Sequence, residues 1–400
     1  VNDSNQITIL GAGVVGLSQA LHLLKNGLKV TIIDKFLNSN ALFDLKPDIF
    51  DARVFALTPQ TTDFLDNLGV WSEILSLRVC PYYHMSVWDG KGSGKIRFDA
   101  QALGVSELGH IVEQPVILQA LLKQAQFYIN NGQLVWLAQE PKELVRDNPD
   151  LIGVKLSDNS IVYAQLLIGA DGANSWLRTT TGLPIVSQDY HQTAIVATVS
   201  TEHSHNNTAY QRFSEGGPLA LLPLSEPNKV SIVWTQGAQT SQELLSLSEH
   251  QFNHKLTEFS ENILGKLSLV GAKKGFALKN QQAQSYGSDR VVLIGDSAHV
   301  IHPLAGLGAN LGFQDVFSLS RLILKQKNNQ RDLGSNSLIQ RYYRERIAKN
   351  EAVRHSMTGL NKLFSSQNPL VKLLRNWGID KANAQSALKK WFANQAMGLS

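Results

Sequence analysis

The stretch from Gln6 to Asp34 constrains this chain more than any other. Ile7, Ile9 and Leu10 make a short apolar strand that runs into the loop Gly11-Ala12-Gly13-Val14-Val15-Gly16. Leu17, Ala20, Leu21 and Leu24 then recur at the spacing of one buried helix face; Gly27 ends the helix, and Val30-Thr31-Ile32-Ile33 forms a second strand finishing at Asp34. Gly11 permits the tight turn, Gly13 lets backbone N–H groups approach a pyrophosphate, and Gly16 lets helix and strand pack closely. The helix N-terminus adds a favourable partial charge for an anion. Asp34, 23 residues after Gly11, stands where a carboxylate accepts ribose hydroxyl hydrogen bonds. A tight turn without a ligand would explain the glycines alone. Strand, helix and terminal acid together predict a dinucleotide site, and the Asp34 charge would repel a 2′-phosphate, so FAD or NAD fits better than NADP.

Four hundred residues, 43% of them hydrophobic, suffice for a large core and usually mean two domains or one elaborate one. No run reaches the roughly 18 to 20 apolar residues of a spanning helix. No basic segment followed by an apolar one opens the sequence, so the expectation is a soluble, cytoplasmic protein. Cys80 is the only cysteine, which excludes an intrachain disulfide and a cysteine-cluster metal site. The net charge of +4 is unevenly spread: Lys362 to Ser400 carries a local +5, and the remainder sums to about −1. No broad basic face remains for nucleic acid, only a cationic tail that would suit anionic lipid or a partner.

Further along, Arg53 sits in Asp51-Ala-Arg-Val-Phe-Ala-Leu57, where a guanidinium needs an acidic partner. A cofactor phosphate, a ribose oxygen or a structural salt bridge would each serve. Thr58-Pro59 opens a helix that runs to Gly69. From Tyr83 to Phe98, alternation with glycine-rich turns (Asp89-Gly90, Gly92-Ser93-Gly94) predicts antiparallel strands away from the parallel sheet. Pro115 starts another helix. Glu113 and Gln114 before it are either polar contacts to a cofactor or solvated loop residues. Gln165 to Gly172 reads as a buried strand ending in Gly169-Ala170-Asp171-Gly172, with an aspartate where open α/β sheets place ligand contacts or where a helix needs a cap.

Tyr190 to Gln284 changes character: four strand-like runs separated by turns predict an inserted, mostly β domain. Its large apolar residues Phe213, Leu222, Leu224 and Trp234 are core individually or, as a group, an apolar pocket wall. A third motif follows. Arg290 to Ile294 is a strand ending in Gly295-Asp296, and Pro303, Gly306, Gly308, Ala309 and Asn310 lead into a long helix whose N-terminus is aimed at a site. His299 and His302 lack a third ligand, so no metal is expected. The remaining chain reads as helical. Its stripe of Leu360, Leu363, Phe364, Leu370, Val371, Leu374 and Trp377 suits packing on the body or contact with a membrane surface.

The three motifs in this order, Gly11-x-Gly-x-x-Gly16, Gly169-Ala-Asp-Gly172 and Gly295-Asp296 with its proline and glycine sequel, resemble the single-component FAD monooxygenases that hydroxylate aromatic rings. Asp51-Ala-Arg-Val-Phe-Ala-Leu57, Gly217-Pro-Leu-Ala-Leu-Leu-Pro223, the His302 to Gly312 stretch and Ala396-Met-Gly398 narrow the resemblance to the ubiquinone-biosynthesis hydroxylases, over nearly the whole chain. Leu307 stands where that family usually has glutamine; backbone N–H groups do the flavin-facing work there, so FAD binding is expected to persist.

The resemblance implies an α/β fold of the p-hydroxybenzoate hydroxylase type: a Rossmann-like FAD-binding domain (1–80, 113–184, 285–350), an inserted antiparallel β substrate domain (81–112, 185–284) and C-terminal helices (351–400). It implies that Gly11, Gly13 and Gly16 hold the FAD pyrophosphate and Asp34 the adenosine ribose. Arg53 and Glu113 would reach the cofactor, and Asp171 with Gly172 would form the second fingerprint. Gly295 and Asp296 would bind the ribityl-pyrophosphate side, with Pro303, Gly306, Gly308, Ala309 and Asn310 beside the isoalloxazine.

The implied reaction is hydroxylation of a prenylated phenol or quinol by O2 through a flavin C4a-hydroperoxide, with NAD(P)H as donor. No acid or base is singled out, and His191, Tyr210 and His299 are candidates. Hydroxylation of a small soluble aromatic compound, and a non-catalytic role in a quinone-biosynthesis complex, are the alternatives. Peripheral contact with the inner face of a membrane and a homo-oligomer are left open.

Overall fold

A computed structural model describes residues 5–35, 45, 49–90, 95–214, 216–301 and 307–365. The N-terminal unit forms β1 (Asn5–Leu10), α1 (Val14–Lys25) and β2 (Val30–Ile33). Ile7, Ile9 and Leu10 are all buried, as a central parallel strand covered on both faces requires, and α1 buries the predicted Leu17, Ala20, Leu21 and Leu24. The chain then leaves this sheet through β3 (Val54–Leu57), α2 (Pro59–Leu68) and α3 (Trp71–Leu77). Pro59 in the first turn, the Thr58 side chain accepting the Thr61 N–H, and Gly69 in the left-handed conformation set the limits of α2.

β4 (Cys80–Tyr82), β5 (His84–Asp89), β6 (Lys95–Asp99), α4 (Ala100–Leu103) and β7 (Gly109–Glu113) follow. α5 (Gln114–Asn130) then brings the chain back to β8 (Leu134–Leu137) beside β2. β9 (Pro141–Val145), β10 (Ile152–Leu156) and β11 (Ile161–Gly169) form an antiparallel meander whose last strand runs parallel to β1. Beyond α6 (Trp176–Thr180) come β12 (Ile185–Thr201), β13 (Thr208–Phe213), β14 (Leu219–Pro223) and β15 (Lys229–Gly237). Next are α7 (Ala238–Ser246), α8 (Glu249–Phe259) and β16 (Leu267–Ala283). β17 (Gly287–Ser288), β18 (Val291–Leu293), a 3-10 turn (Gly295–Ser297), β19 (His299–Val300), α9 (Leu307–Asn328) and α10 (Asn336–Ser365) complete the described chain.

Among the described residues the strands form three sheets. The first runs β17-β18-β11-β1-β2-β8, with β10 and β9 added beside β11. From β1 the chain steps to β2 and β8 on one side, while β11 and β18 lie on the other. The order therefore reverses at β1, and the crevice beyond the carboxyl ends of β1 and β11 is the topological switch point, where such sheets bind ligands. The second sheet runs β19-β16-β12-β15-β14-β13-β5-β6, and the third is β3-β7-β4.

Side-chain alternation gives the second sheet two faces. Ile195, Ala197, Val199, Leu219, Leu221, Val230, Ile232 and Trp234 form its core with Leu244, Phe252 and Leu256 of α7 and α8. The opposite face meets the third sheet, where Leu222 and Leu224 pack with Phe50, Ala56 and Ile111. The third sheet's other side, Leu57 and Val112, belongs to the core around β1. The long strands β12 and β16 pair from Ile185↔Ala283 to Thr201↔Leu267, and β19 joins them at Gln282↔His299, so the strand after the third motif is hydrogen-bonded into the second sheet.

Two expected boundaries shift. Of the predicted insertion 81–112, β5 and β6 join the second sheet, but β4 and β7 pair with β3 instead. The predicted break at 350 falls inside the continuous α10. The Gly92–Gly94 turn and the residues beyond 365 lie outside the described residues. No helix among those described is long and apolar enough to cross a membrane.

Candidate cofactor site at the strand ends

The ends of the parallel strands are laced together by backbone bonds. Gly11 N–H donates to the Ile33 carbonyl (3.0 Å), Ala170 N–H to Leu10 (2.8 Å) and Ile294 N–H to Gly169 (2.9 Å). The three glycine motifs, far apart in sequence, therefore meet at one crevice. Gly11 has φ +97°, and a Cβ there would collide with the Ala170 carbonyl; a Cβ on Gly16 would collide with the Gly11 carbonyl. Gly13 differs: it is exposed, and nothing lies within 4 Å of where its Cβ would be. The protein's own packing needs glycine at 11 and 16, whereas at 13 the glycine leaves room in the crevice. Asp34 accepts the Ala12 N–H on Oδ2 (2.7 Å), which holds the turn against the end of β2.

In the second motif Asp171 Oδ2 accepts the Leu177 N–H (3.0 Å), so its side chain caps α6, and burial raises its pKa. Gly172 lies half-buried beside it. The buried Arg178 donates to the Ser297 carbonyl and to the Ala173 carbonyl, both at 2.8 Å, tying the second motif to the third. Ser297 Oγ in turn donates to the Gly169 carbonyl (2.5 Å).

Asp296 is open to the crevice. The protein around it raises its pKa by desolvation, while the charges of His299 and Arg53 pull the other way. The structure thus brings exposed Arg53 within electrostatic reach of Asp296. Gly295 N–H donates to Asp315 Oδ2 (2.9 Å), and Asp315 also lies 2.6 Å from His299 Nε2 and accepts Arg346 Nε (2.6 Å). Asp315 is fully buried; burial alone would raise its pKa, but His299 and Arg346 outweigh it and hold the carboxyl below its ordinary value.

Several expectations need correction. Glu113 is neither a solvated loop residue nor turned to the crevice: it is buried in an ion pair with Arg78 (Nε to Oε2 3.0 Å), and its Oε1 accepts the Asp51 N–H (2.7 Å). It fastens the segment that carries Arg53, whose carbonyl accepts the Gln114 N–H (3.0 Å). Burial raises the Glu113 pKa against the opposing pull of Asp51 N–H and Arg78. The Asn310 side chain is used inside the protein: Nδ2 donates to the Ala56 carbonyl (2.8 Å), and Oδ1 accepts Thr58 N–H (3.1 Å) and the Thr61 hydroxyl (2.8 Å). Gly308 and Ala309 in the first turns of α9 are half-buried, and the Cβ position of Gly308 is open. Pro303, Gly306 and His302 lie outside the described residues.

Phe213, Leu222, Leu224 and Trp234 do not form one wall. Leu221 opposes Tyr210 and Leu219 opposes Trp234, which puts Phe213 and Leu222 on one face of the second sheet and Trp234 on the other. Trp234 packs with Phe252 and Phe259, ring centroids 5.9 and 4.8 Å away. Of the acid-base candidates, Tyr210 packs against that helix-covered core, His191 is exposed at an irregularity in β12, and His299 is buried against Asp315. Arg78, Asp315 and Asn350 were not singled out from sequence, and Arg178 and Arg346 were read only as parts of helices, without a role at the site. Asp315 carried a signal, the one acid within α9, two residues after Phe313 and just before Val316 and Phe317.

The crevice suits FAD. It has a helix N-terminus, glycines at 13 and 308 whose Cβ positions are open, and exposed charged groups at Arg53 and Asp296. Strand order and glycine cradle define a dinucleotide-binding flavoprotein, and a family model described as "FAD binding domain" matches residues 4–356. The chain is 32% identical to the mitochondrial ubiquinone biosynthesis monooxygenase COQ6 of Xenopus tropicalis, over 96% of this chain and 91% of that one. It is 30% identical to the 3-demethoxyubiquinol 3-hydroxylase of Escherichia coli (strain K12) over 100% of both. Its fold matches p-nitrophenol 4-monooxygenase PnpA from Pseudomonas putida DLL-E4 with a TM-score of 0.77, covering 98% of each chain at 17% identity, a likeness of fold alone. The chain belongs to the ubiquinone-biosynthesis monooxygenases, a family of FAD-dependent hydroxylases.

Proposed function

We propose that this chain hydroxylates the aromatic ring of a prenylated phenol or quinol in ubiquinone biosynthesis, using FAD, O2 and NAD(P)H. The convergence of three separate strand-end motifs on one crevice carries the reading. That crevice is bordered by the Arg53 segment, which the second sheet grips through the Ser231 hydroxyl and the Ala52 carbonyl (3.1 Å). In this reading Gly11, Gly13, Gly16 and the N-terminus of α1 hold the pyrophosphate. Asp34 takes the adenosine ribose, and Asp296 with Arg53 takes the ribityl side.

Backbone N–H groups of Gly308, Ala309 and Asn310 favour negative charge beside the isoalloxazine. Asp171 and Glu113 act at one remove, through the α6 cap and the Arg53 segment. Reduced FAD supplies the oxygen-activating chemistry; the protein holds it, presents the ring and keeps water away. Phe213 and Leu222, on the face of the second sheet away from α7 and α8, offer apolar contact to the substrate. The reading extends to an FAD-binding domain assembled from the segments around β1–β3, α5–β11 and β17–α10, and to peripheral contact with the membrane that holds a prenylated substrate.

The test is a visible spectrum of the purified protein, followed by NAD(P)H oxidation and peroxide release with and without a short-chain prenylphenol. Flavin absorbance with prenylphenol-stimulated oxidation coupled to product is expected. Stimulation by small soluble phenols alone would overturn the substrate class. A colourless protein that FAD cannot reconstitute would overturn the enzyme reading.

A further inference from the structure

Behind the crevice, six polar side chains join α9, α10, the turn after β16 and the second sheet. His299 Nε2 lies 2.6 Å from Asp315 Oδ2, Arg346 Nε donates to Asp315 Oδ1 (2.6 Å), and Arg346 Nη2 donates to Asn350 Oδ1 (2.7 Å). Asn350 Nδ2 and Gln282 Nε2 both donate to the Tyr286 hydroxyl, at 3.0 and 2.6 Å. Backbone pairing of Gln282 with His299 closes the circuit into a ring. Every member is buried, from 0% exposed at Asp315 and Tyr286 to 9% at Gln282.

Burying so many polar groups is costly, and well-packed apolar side chains would hold two helices together at least as well. The ring does something apolar packing cannot: it points a fixed charge at a backbone N–H. Asp315 accepts Gly295 N–H, immediately before Asp296. A carboxylate this deep stays ionised only beside a positive partner. Arg346 supplies one permanently, and its remaining donors reach Gln314 Oε1 (3.2 Å) and the Leu311 carbonyl (3.3 Å), which fix its plane.

We infer that α10 is a positioning element for the cofactor site: Arg346 holds Asp315, Asp315 holds Gly295 and His299, and Asp296 is thereby aimed into the crevice. The Tyr286–Gln282 arm ties the same unit to the second sheet, so cofactor and substrate surfaces keep one spacing. The inference rests on the proposed placement of FAD against Asp296.

FAD affinity, from quenching of flavin fluorescence, and the melting temperature of the apoprotein are measured separately on the full chain for Arg346→Met, Arg346→Lys, Tyr286→Phe and Asp296→Ala. Arg346→Met is expected to weaken FAD binding about tenfold or more, as loss of a charge-assisted bond would. Arg346→Lys should recover part of that. Tyr286→Phe, which deletes one hydroxyl and keeps the ring in place, should weaken binding about threefold and alter the visible circular dichroism of bound flavin. Lower melting temperatures with unchanged FAD affinity and flavin spectrum would make the circuit purely structural and overturn the inference. If Arg346→Met fails to fold, unchanged affinity in Tyr286→Phe overturns it alone. Should Asp296→Ala bind FAD normally, the placement of FAD is wrong and the inference falls with it; weakened binding in Asp296→Ala beside normal ring variants defeats the inference alone.

Discussion

Two loops, Gly11–Gly16 after β1 and Gly295–His299 after β18, end at the same crevice but are held in different ways. The first is held by backbone: Gly11 N–H on Ile33, Ala170 N–H on Leu10, and a Cβ-free contact between Gly16 and the Gly11 carbonyl. Its one side-chain bond comes from Asp34 within the same unit. The second also has backbone bonds, Ile294 N–H on Gly169 and Ala283 N–H on Ala298, but adds side chains from elsewhere, Asp315 on α9, backed by Arg346 on α10, and Arg178 on α6. A backbone-held loop tolerates almost no change at its glycines, whereas a side-chain-held loop can be loosened by degrees.

The comparison is broken most severely at the glycines of the first loop. Gly16→Val places a side chain inside the Gly11 carbonyl and is expected to cost about 3 kcal/mol or more, enough to remove most folded protein. At Gly13 an added Cβ meets nothing within 4 Å, so Gly13→Val projects into open space. It should melt within a few degrees of wild type and yet lose FAD. Thermal denaturation and flavin content, read on both variants, separate the two; a flavin-replete Gly13→Val would show that the crevice over Gly13 is not where the pyrophosphate lies.

That asymmetry also decides what could be read in the sequence. The first loop was legible because its geometry lies within thirty residues and each part leaves a local mark: apolar period, glycine, terminal acid. Asp171 and Asp296 were legible for the same reason, each ending an apolar strand. Glu113 was legible as a position but not as a role, because Arg78 reaches it from 35 residues away, beyond α3. Arg346 sits in Arg341-Tyr-Tyr-Arg-Glu-Arg346, a pattern that resembles a solvated helix face; only tertiary packing shows that this arginine is buried. The two faces of the second sheet follow from alternation within each strand, but which face meets the cofactor domain is fixed by pairing between strands and by α7 and α8. Trp234 was grouped with Phe213 for want of that register.

A side-chain clamp elsewhere extends the comparison. Arg78→Met leaves buried Glu113 without its counter-charge and takes the Arg78 donor from the Ile49 carbonyl, and loss of one partner of a buried pair costs about 3–5 kcal/mol. The exposure of Arg78 puts the expected loss at the lower end. Urea denaturation measures it; a loss below about 1 kcal/mol would mean that solvent already screens the pair. Asn310→Ala is gentler. It removes three bonds between α9 and the β3–α2 junction, leaves Thr58 N–H and the Ala56 carbonyl to find other partners, and should cost about 1–3 kcal/mol. Unchanged stability would place the hold on α9 wholly in its apolar face.

The smallest effect is visible only in acid, and it separates Asp315 from the other buried carboxyls. The folded pKa of Asp315 lies below the ordinary 3.8, so its contribution to stability is fully present above that value and is lost as pH falls through the folded pKa. Glu113 carries the opposite sign: its folded pKa is raised above 4.5, so the stability it withholds appears as a decline while pH rises from that value through the folded pKa. In the wild type the Asp315 slope lies below 3.8 and the Glu113 slope above 4.5, so the two fall in different windows of one melting profile. Arg346→Met changes only the first, because removing the guanidinium lets burial raise the Asp315 pKa while Glu113, held by Arg78, keeps its own. The acid loss of stability should therefore shrink or reverse in Arg346→Met relative to wild type, while the Glu113 decline above 4.5 keeps its slope. Melting temperatures taken across pH 3 to 7 on both proteins test this. An acid loss of undiminished size would show that His299 alone holds the Asp315 charge, leaving Arg346 to act on the second loop through its hydrogen bonds.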